Sequence, residues 1–200
     1  YAKTSECFAR VTAKADTPDQ CEQLLDPVVE KICAMLGEDV YGVDVDSLEQ
    51  VVGDGLRQRG MTLAVAESCT GGLLSKRITD VPGCSDYYLG GVCSYANEVK
   101  MNVLGVQKET LDTVGAVSPE VAEQMAEGVA RALGADVGVG ITGVAGPGGG
   151  TDEKPVGLVY ISIWHKGQHF TRKMKSMNGR DRIRMQAAST ALDLIRRNVF

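Results

Sequence analysis

No stretch of this 200-residue chain approaches the ~18 consecutive apolar residues that a membrane-crossing helix needs, which excludes a transmembrane helix. The start, Tyr1-Ala2-Lys3-Thr4, has neither an initiator Met nor the apolar stretch of a secretory signal. It reads as a chain beginning inside a longer protein. Histidine is scarce: only His165 and His169 are present. The six cysteines, Cys7, Cys21, Cys33, Cys69, Cys84 and Cys93, form no C-x-x-C pair. Zinc spacing is therefore absent, and neither a metal nor a cofactor is expected. Scattered cysteines in a chain with a full-sized core read as reduced core residues, which points to the cytoplasm. A basic excess is lacking as well. The net charge of −5 and the pI of about 5.1 argue against nucleic acid as a partner. The local cluster Arg172, Lys173, Lys175, Arg180, Arg182 and Arg184 reads equally well as a solvated face.

What is present is ordinary soluble globular material, 44% apolar with a mean hydropathy of −0.07. Residues 6–15 alternate apolar and polar like a half-buried strand. Thr17-Pro18-Asp19 then opens a helix whose Leu24, Leu25, Val28, Val29, Ile32 and Leu36 recur at helical spacing, and Gly37 ends it. Val40 to Val43 reads as a second short strand, which makes residues 1–43 one small strand–helix–strand module. Residues 44–200 form the second domain. It begins with a helix capped by Asp46 or Ser47 and ending at Gly60. Strand 61–66, helix 71–79, strand 87–95, helix 97–104 and a helical turn near 108–113 follow. Helix 118–133, strand 136–142, strands 156–165 and 168–175, and helix 179–197 complete the order. Strands alternating with helices predict a layered α/β/α domain. Its sheet is expected to be mainly parallel, with an antiparallel hairpin at its end.

Three segments carry chemistry. Ala66-Glu67-Ser68-Cys69-Thr70-Gly71-Gly72 joins an apolar strand to a helix through a glycine-assisted turn, which presents the Ser68 hydroxyl. The N–H groups of Thr70, Gly71 and Gly72 are expected to point into the same space, because a helix's first turn leaves its donors unpaired. A nucleophile beside free donors suits acyl transfer. A plain helix cap explains the same residues, since Ser and Thr are favoured N-caps. Tyr95-Ala96-Asn97-Glu98-Val99-Lys100 stands at the next strand end and helix start, the edge where open α/β sheets bind ligands. Lys100 follows Ser68 by 32 residues, so a neighbouring strand–helix unit can bring the two together. Burial would lower the lysine's pKa and make it a base; a solvated surface charge is the alternative. Ile141-Thr142-Gly143-Val144-Ala145-Gly146-Pro147-Gly148-Gly149-Gly150 also follows an apolar strand. Its glycines allow an anion-binding nest of N–H groups, or simply a flexible loop. It is neither a Walker loop nor a G-x-G-x-x-G helix start. From residues alone the three segments describe a Ser/Lys hydrolase or a nucleotide-binding pocket.

These segments, with Pro82 to Ser85, Gly115-Ala116-Val117-Ser118 and Lys154-Pro155-Val156-Gly157, occur in an order that resembles the C-terminal domain of the bacterial CinA proteins, the nicotinamide mononucleotide amidase family. The likeness covers roughly residues 46–198. Residues 1–43, with Arg10-Val11-Thr12 and Tyr41-Gly42-Val43-Asp44, resemble the KH-type module that precedes this domain, which implies a small α+β fragment. The resemblance implies hydrolysis of the carboxamide of nicotinamide mononucleotide to nicotinate mononucleotide and ammonia. It implies Ser68 as nucleophile, Lys100 as its base and Tyr95 nearby as a catalytic residue that relays protons or holds the lysine. Thr70, Gly71, Gly72, Ser85, Asn97, Thr142, Gly143, Gly146 and Arg180 would surround the substrate, and the chain would associate as a homodimer. Cys84 stands where the family commonly has serine, and Asn178-Gly179-Arg180 replaces Gly-Asp-Arg, which bears on the orientation of Arg180. The alternatives are a cysteine hydrolase using Cys69 and a pyridine-nucleotide-binding or regulatory module without turnover. An RNA role for residues 1–43 is disfavoured, because they hold no GXXG loop.

Overall fold

The computed structural model describes residues 1–2 and 6–200. The chain divides into two compact units, Tyr1–Asp44 and Val45–Phe200.

The first unit is built on helix α1 (Pro18–Leu36), with Pro18 in its first turn and the Thr17 hydroxyl accepting from the Gln20 N–H at 3.3 Å. The strands expected over 6–15 and 40–43 do not form among the described residues. Cys7 makes one isolated antiparallel bridge with Ala2, and Phe8 and Tyr1 bond reciprocally through main-chain groups at 2.7 Å. The Tyr41 hydroxyl donates to Glu6 Oε2 at 3.2 Å. Alternating polarity makes a segment fit for a sheet, but a strand exists only where a partner's N–H and C=O groups complete the ladder. Pairs without a third strand are marginal in water.

In the second unit five strands lie in the order β2-β1-β3-β4-β5: β1 Leu63–Glu67, β2 Tyr88–Cys93, β3 Val137–Gly143, β4 Leu158–His165 and β5 Gln168–Lys175. β1 pairs parallel with both β2 and β3, while β4 runs antiparallel to β3 and to β5. The sheet is mixed in the expected way: β1, β2, β3 and β5 run in one direction and β4 against them, with the expected antiparallel hairpin β4–β5 at its end. Helices α2 (Leu48–Arg59), α3 (Leu73–Thr79) and α7 (Arg180–Val199) pack on one another, with α3 and α7 also against the sheet. Helix α6 (Pro119–Leu133) lies on the other side with α4 (Asn97–Leu104) and the short α5 (Lys108–Thr113). Caps read from sequence are in place at two of these helices. Ser47 accepts from the Gln50 N–H at 3.2 Å, and Ser118 from the Val121 N–H at 3.3 Å.

The interior strand β1 is buried on both faces. Ala64 and Ala66 meet Leu104, Val106, Val121, Met125 and Val129 beneath α6 and α4. Beside those alanines in register stand Gly138 and Gly140. A Cβ at these two glycines would come within 2.0 Å of the Ala126 carbonyl oxygen and 2.1 Å of the Ala122 carbonyl oxygen. The small residues therefore set how closely α6 approaches the sheet, and with it the height of α4 above the end of β1. Among the described residues no helix is long and apolar enough to cross a membrane.

Candidate active site

Strand alternation organises the site. Successive side chains of a strand point to opposite faces. Ala64 and Ala66 face α6, so the main chain carries Glu67 toward α3 and Ser68 toward α4. The ladder continues one residue past the strand, because the Ser68 N–H donates to the Ile141 carbonyl at 2.9 Å. Beyond β2, the Ser94 N–H likewise donates to the Glu67 carbonyl at 2.9 Å. The chain then turns through Tyr95 into α4, and Lys100 lies on the buried side of that helix, only 1% exposed.

Lys100 Nζ is 3.2 Å from Ser68 Oγ. It donates to the Ser94 carbonyl at 2.6 Å and more weakly to the Tyr95 carbonyl at 3.4 Å. Two carbonyls can take the two N–H bonds of a neutral amine, whose lone pair is then directed at the remaining neighbour, the serine hydroxyl. Burial moves the lysine's pKa below its ordinary 10.5, because the ammonium form loses water; negative charge on Cys69 acts weakly in the opposite sense. The solvated-charge alternative for Lys100 is thereby overturned.

The donors of the turn are arranged differently from expectation. The Gly71 N–H donates to the Ser68 carbonyl at 3.1 Å, and the Gly72 N–H to Glu67 Oε2 at 3.1 Å. Only the Thr70 N–H, of the three expected donors, has no acceptor among the described residues. The physical reason is that the buried Glu67 carboxylate itself occupies the start of α3. Ser68 is consequently not a helix cap; Gly72 holds that position without a side-chain bond. Arg184 on α7 fixes the turn from the other side, donating to the Thr70 carbonyl from Nη2 at 2.7 Å and Nε at 3.2 Å.

The remaining sequence candidates separate into four groups. Thr142 and Gly143 end β3 in the register beyond Ile141, and the buried Thr142 hydroxyl donates to the Ala116 carbonyl at 2.7 Å. Gly146, in the glycine loop, accepts from Arg180 Nη1 at 2.6 Å, so the first residue of α7 ties that loop down. Asn97 begins α4 and is exposed, and the Tyr95 side chain is 69% exposed while its main chain contacts the lysine. Ser85 is not brought to this group within the chain. It sits in a turn of 3-10 helix, Cys84–Asp86, before β2, and β2 runs parallel to β1. A parallel strand carries the segment before it to the opposite edge of the sheet, roughly 20 Å away for six residues. Cys69 is buried beside Ser68, and burial pushes its thiol up to about 11. Such a thiol is a poor nucleophile near neutrality.

Sequence reasoning missed Glu67 and Arg184 as parts of the site. Glu67 was visible within the motif, but a glutamate in a strand gives no sign of which face it will occupy. Arg184 was legible only as one member of a charge cluster. Of that cluster, Arg172, Lys173 and Lys175 are exposed on the edge strand β5, where charge discourages further pairing. Among the described residues no group of three or more His, Cys, Asp or Glu side chains gathers as a metal site would require.

Comparison with known proteins shows the family. Residues 45–199 match the model of the CinA C-terminal domain, and residues 1–42 that of the damage-inducible protein CinA KH domain. The chain is 52% identical over 202 residues to a CinA-like protein of Desulfovibrio desulfuricans, covering 100% of this chain and 48% of the relative. It is 46% identical over 200 residues to a CinA-like protein of Dictyoglomus thermophilum, covering 100% of this chain and 49% of the relative. It thus spans about half the length of the curated relatives it matches. Among solved structures, the competence/damage inducible protein CihA from Agrobacterium tumefaciens superposes with a TM-score of 0.73 at 38% identity, covering 78% of this chain and 96% of that one. The competence damage-inducible protein A (ComA) of Klebsiella pneumoniae gives 0.74 at 34% identity, covering 76% and 94%. The chain belongs to the CinA family, with a CinA C-terminal domain preceded by a CinA KH module.

Proposed function

We propose that the chain is an amidohydrolase that converts nicotinamide mononucleotide to nicotinate mononucleotide and ammonia through a Ser68 acyl-enzyme. The observation that carries this reading is the buried Lys100 amine 3.2 Å from the Ser68 hydroxyl, with backbone carbonyls as its other partners. Neutral Lys100 takes the Ser68 proton as Oγ bonds to the carboxamide carbon. The oxyanion that forms is met by the Thr70 N–H, a donor of the turn that has no acceptor among the described residues; one such donor is typically worth about 10²–10³ in rate. As the carbon–nitrogen bond breaks, protonated Lys100 gives its proton to the leaving amine, which departs as ammonia. Water then attacks the ester with the same lysine as base, releasing the carboxylate and restoring Ser68.

The substrate's 5′-phosphate falls to Arg180 and the glycine loop. A guanidinium suits phosphate, and so does a nest of N–H groups. The start of α3, the other nearby source of N–H donors, is already satisfied by Glu67. Tyr95, exposed next to the lysine's carbonyl partners, relays protons or holds the lysine in position. The protein works as a homodimer in the cytoplasm, and light scattering on a sizing column tests the dimer. Incubation with nicotinamide mononucleotide, without added metal, tests the reaction. Ammonia and nicotinate mononucleotide are expected in equal amounts, and binding without either product would replace the amidase reading with that of a nucleotide-binding module.

A further inference from the structure

One buried charged group beside the dyad has no step in the reaction above. Glu67 is 1% exposed. Its Oε2 accepts from the N–H groups of Gly72 at 3.1 Å and Leu74 at 3.0 Å. Its Oε1 accepts from the N–H and the hydroxyl of Ser75, both at 2.8 Å. All four donors belong to the start of α3, and that helix has no side-chain N-cap of its own. Helix starts are normally closed by a nearby Ser, Thr, Asp or Asn. Ser68 and Thr70 are the hydroxyls available in this turn, and neither is used for the purpose.

We propose that Glu67 is a positioning residue for Ser68. By taking up the first-turn donors of α3, it fixes the turn and leaves the Ser68 hydroxyl to Lys100. This rests on the Ser68–Lys100 reading given above. The partition follows from strand geometry, because adjacent residues at the end of β1 face opposite sides of the sheet. The carboxylate on one side satisfies the helix, and the hydroxyl on the other is free to react. Glutamine has the same size but cannot replace it. Both oxygens of Glu67 face donors only, so an amide nitrogen in either place sets donor against donor. The unsatisfied first turn then draws on the hydroxyls of the turn, and Ser68 leaves the lysine.

The test measures the Lys100 Nζ resonance by nitrogen-15 NMR across pH in the full chain, without substrate. Wild type, Ser68→Ala, Glu67→Gln and the double variant are compared. Ser68→Ala is expected to displace the Lys100 titration midpoint. Glu67→Gln is expected to reproduce that displacement, and the double variant to add nothing to it. In turnover, Glu67→Gln should lower kcat about 10²-fold while KM stays within about threefold, the signature of a misplaced nucleophile. A wild-type midpoint in Glu67→Gln, still displaced in full by adding Ser68→Ala, overturns the proposal. A midpoint indifferent to Ser68→Ala in the wild-type background overturns the dyad reading instead. Should Glu67→Gln fail to fold, Ser75→Ala decides, since it removes one of the four donors. A displacement in the same direction supports the role of Glu67, and none overturns it. A wild type that releases no ammonia strikes the substrate assignment alone, because the resonance is read without substrate.

Discussion

Lys100 and Ser68, on different strand–helix units, meet at 3.2 Å, and the lysine's other two partners are backbone carbonyl oxygens rather than carboxylates. Among the described residues no acidic side chain bonds the amine, and burial favours the neutral form. Both features shift the lysine toward the neutral form, the direction that a role as base calls for.

The first prediction concerns rate against pH. Activity toward nicotinamide mononucleotide should rise as Lys100 loses its proton, with a midpoint below the ordinary lysine value of 10.5. Ser68→Ala should lose activity by about 10³-fold or more, as expected for removal of a nucleophile, with an unchanged melting profile. A pH profile of kcat/KM together with thermal melts of both proteins checks this. A flat profile, or a Ser68→Ala variant that turns over normally, defeats the mechanism.

Stability carries the same titration in another form. Unfolded, Lys100 holds its proton up to about 10.5; folded, it releases it at lower pH. Between those two values the unfolded chain binds more protons, so wild-type stability rises with pH through this window. Lys100→Met lacks the term. It is expected to gain on wild type most at the low-pH end of this window, and the difference should shrink as pH approaches 10.5. Denaturant titrations of both proteins at several pH values read the trend, and a constant difference contradicts it.

Cys69 lies next to the nucleophile but should take no part in turnover. With its thiol pushed up to about 11, iodoacetamide at pH 7.5 is expected to label the exposed Cys7 and Cys93 and to spare Cys69. Cys69→Ser should keep activity within about threefold, since only the small buried side chain changes. Mass spectrometry of the alkylated peptides and one assay suffice. Loss of turnover in Cys69→Ser alone, with Ser68→Ala still active, would exchange the two roles.

Away from the site, Arg77 on α3 bonds Glu49 of α2 and the Ser189 hydroxyl of α7, the latter at 2.6 Å. The Arg77 and Glu49 side chains are 7% and 13% exposed. Removing one member of a buried pair leaves the other charge without its partner, so Arg77→Ala should destabilise by about 3–5 kcal/mol. Lys108→Ala, which breaks the exposed pair with Asp112, should cost about 0.5 kcal/mol or less. Urea denaturation of the two variants compares them directly.

The sequence by itself determined the order of elements from residue 46 onward, because apolar periodicity and cap residues such as Ser47 and Ser118 act over a few neighbouring positions. It also placed Ser68 just past one strand end and Lys100 about a turn into the helix that follows another, near the edge where α/β sheets bind ligands. Tertiary structure decided the rest. Whether residues 6–15 form a strand depends on a partner ladder, which alternating polarity does not supply. Ser85 precedes a strand parallel to β1, and that pairing carried it to the far edge. The side chain that closes α3 was settled by which face of β1 Glu67 occupies once α6 has packed on Ala64 and Ala66. Local patterns fix what a segment can become, whereas the neighbours that pair with it and cover it fix which of its groups remain free to react.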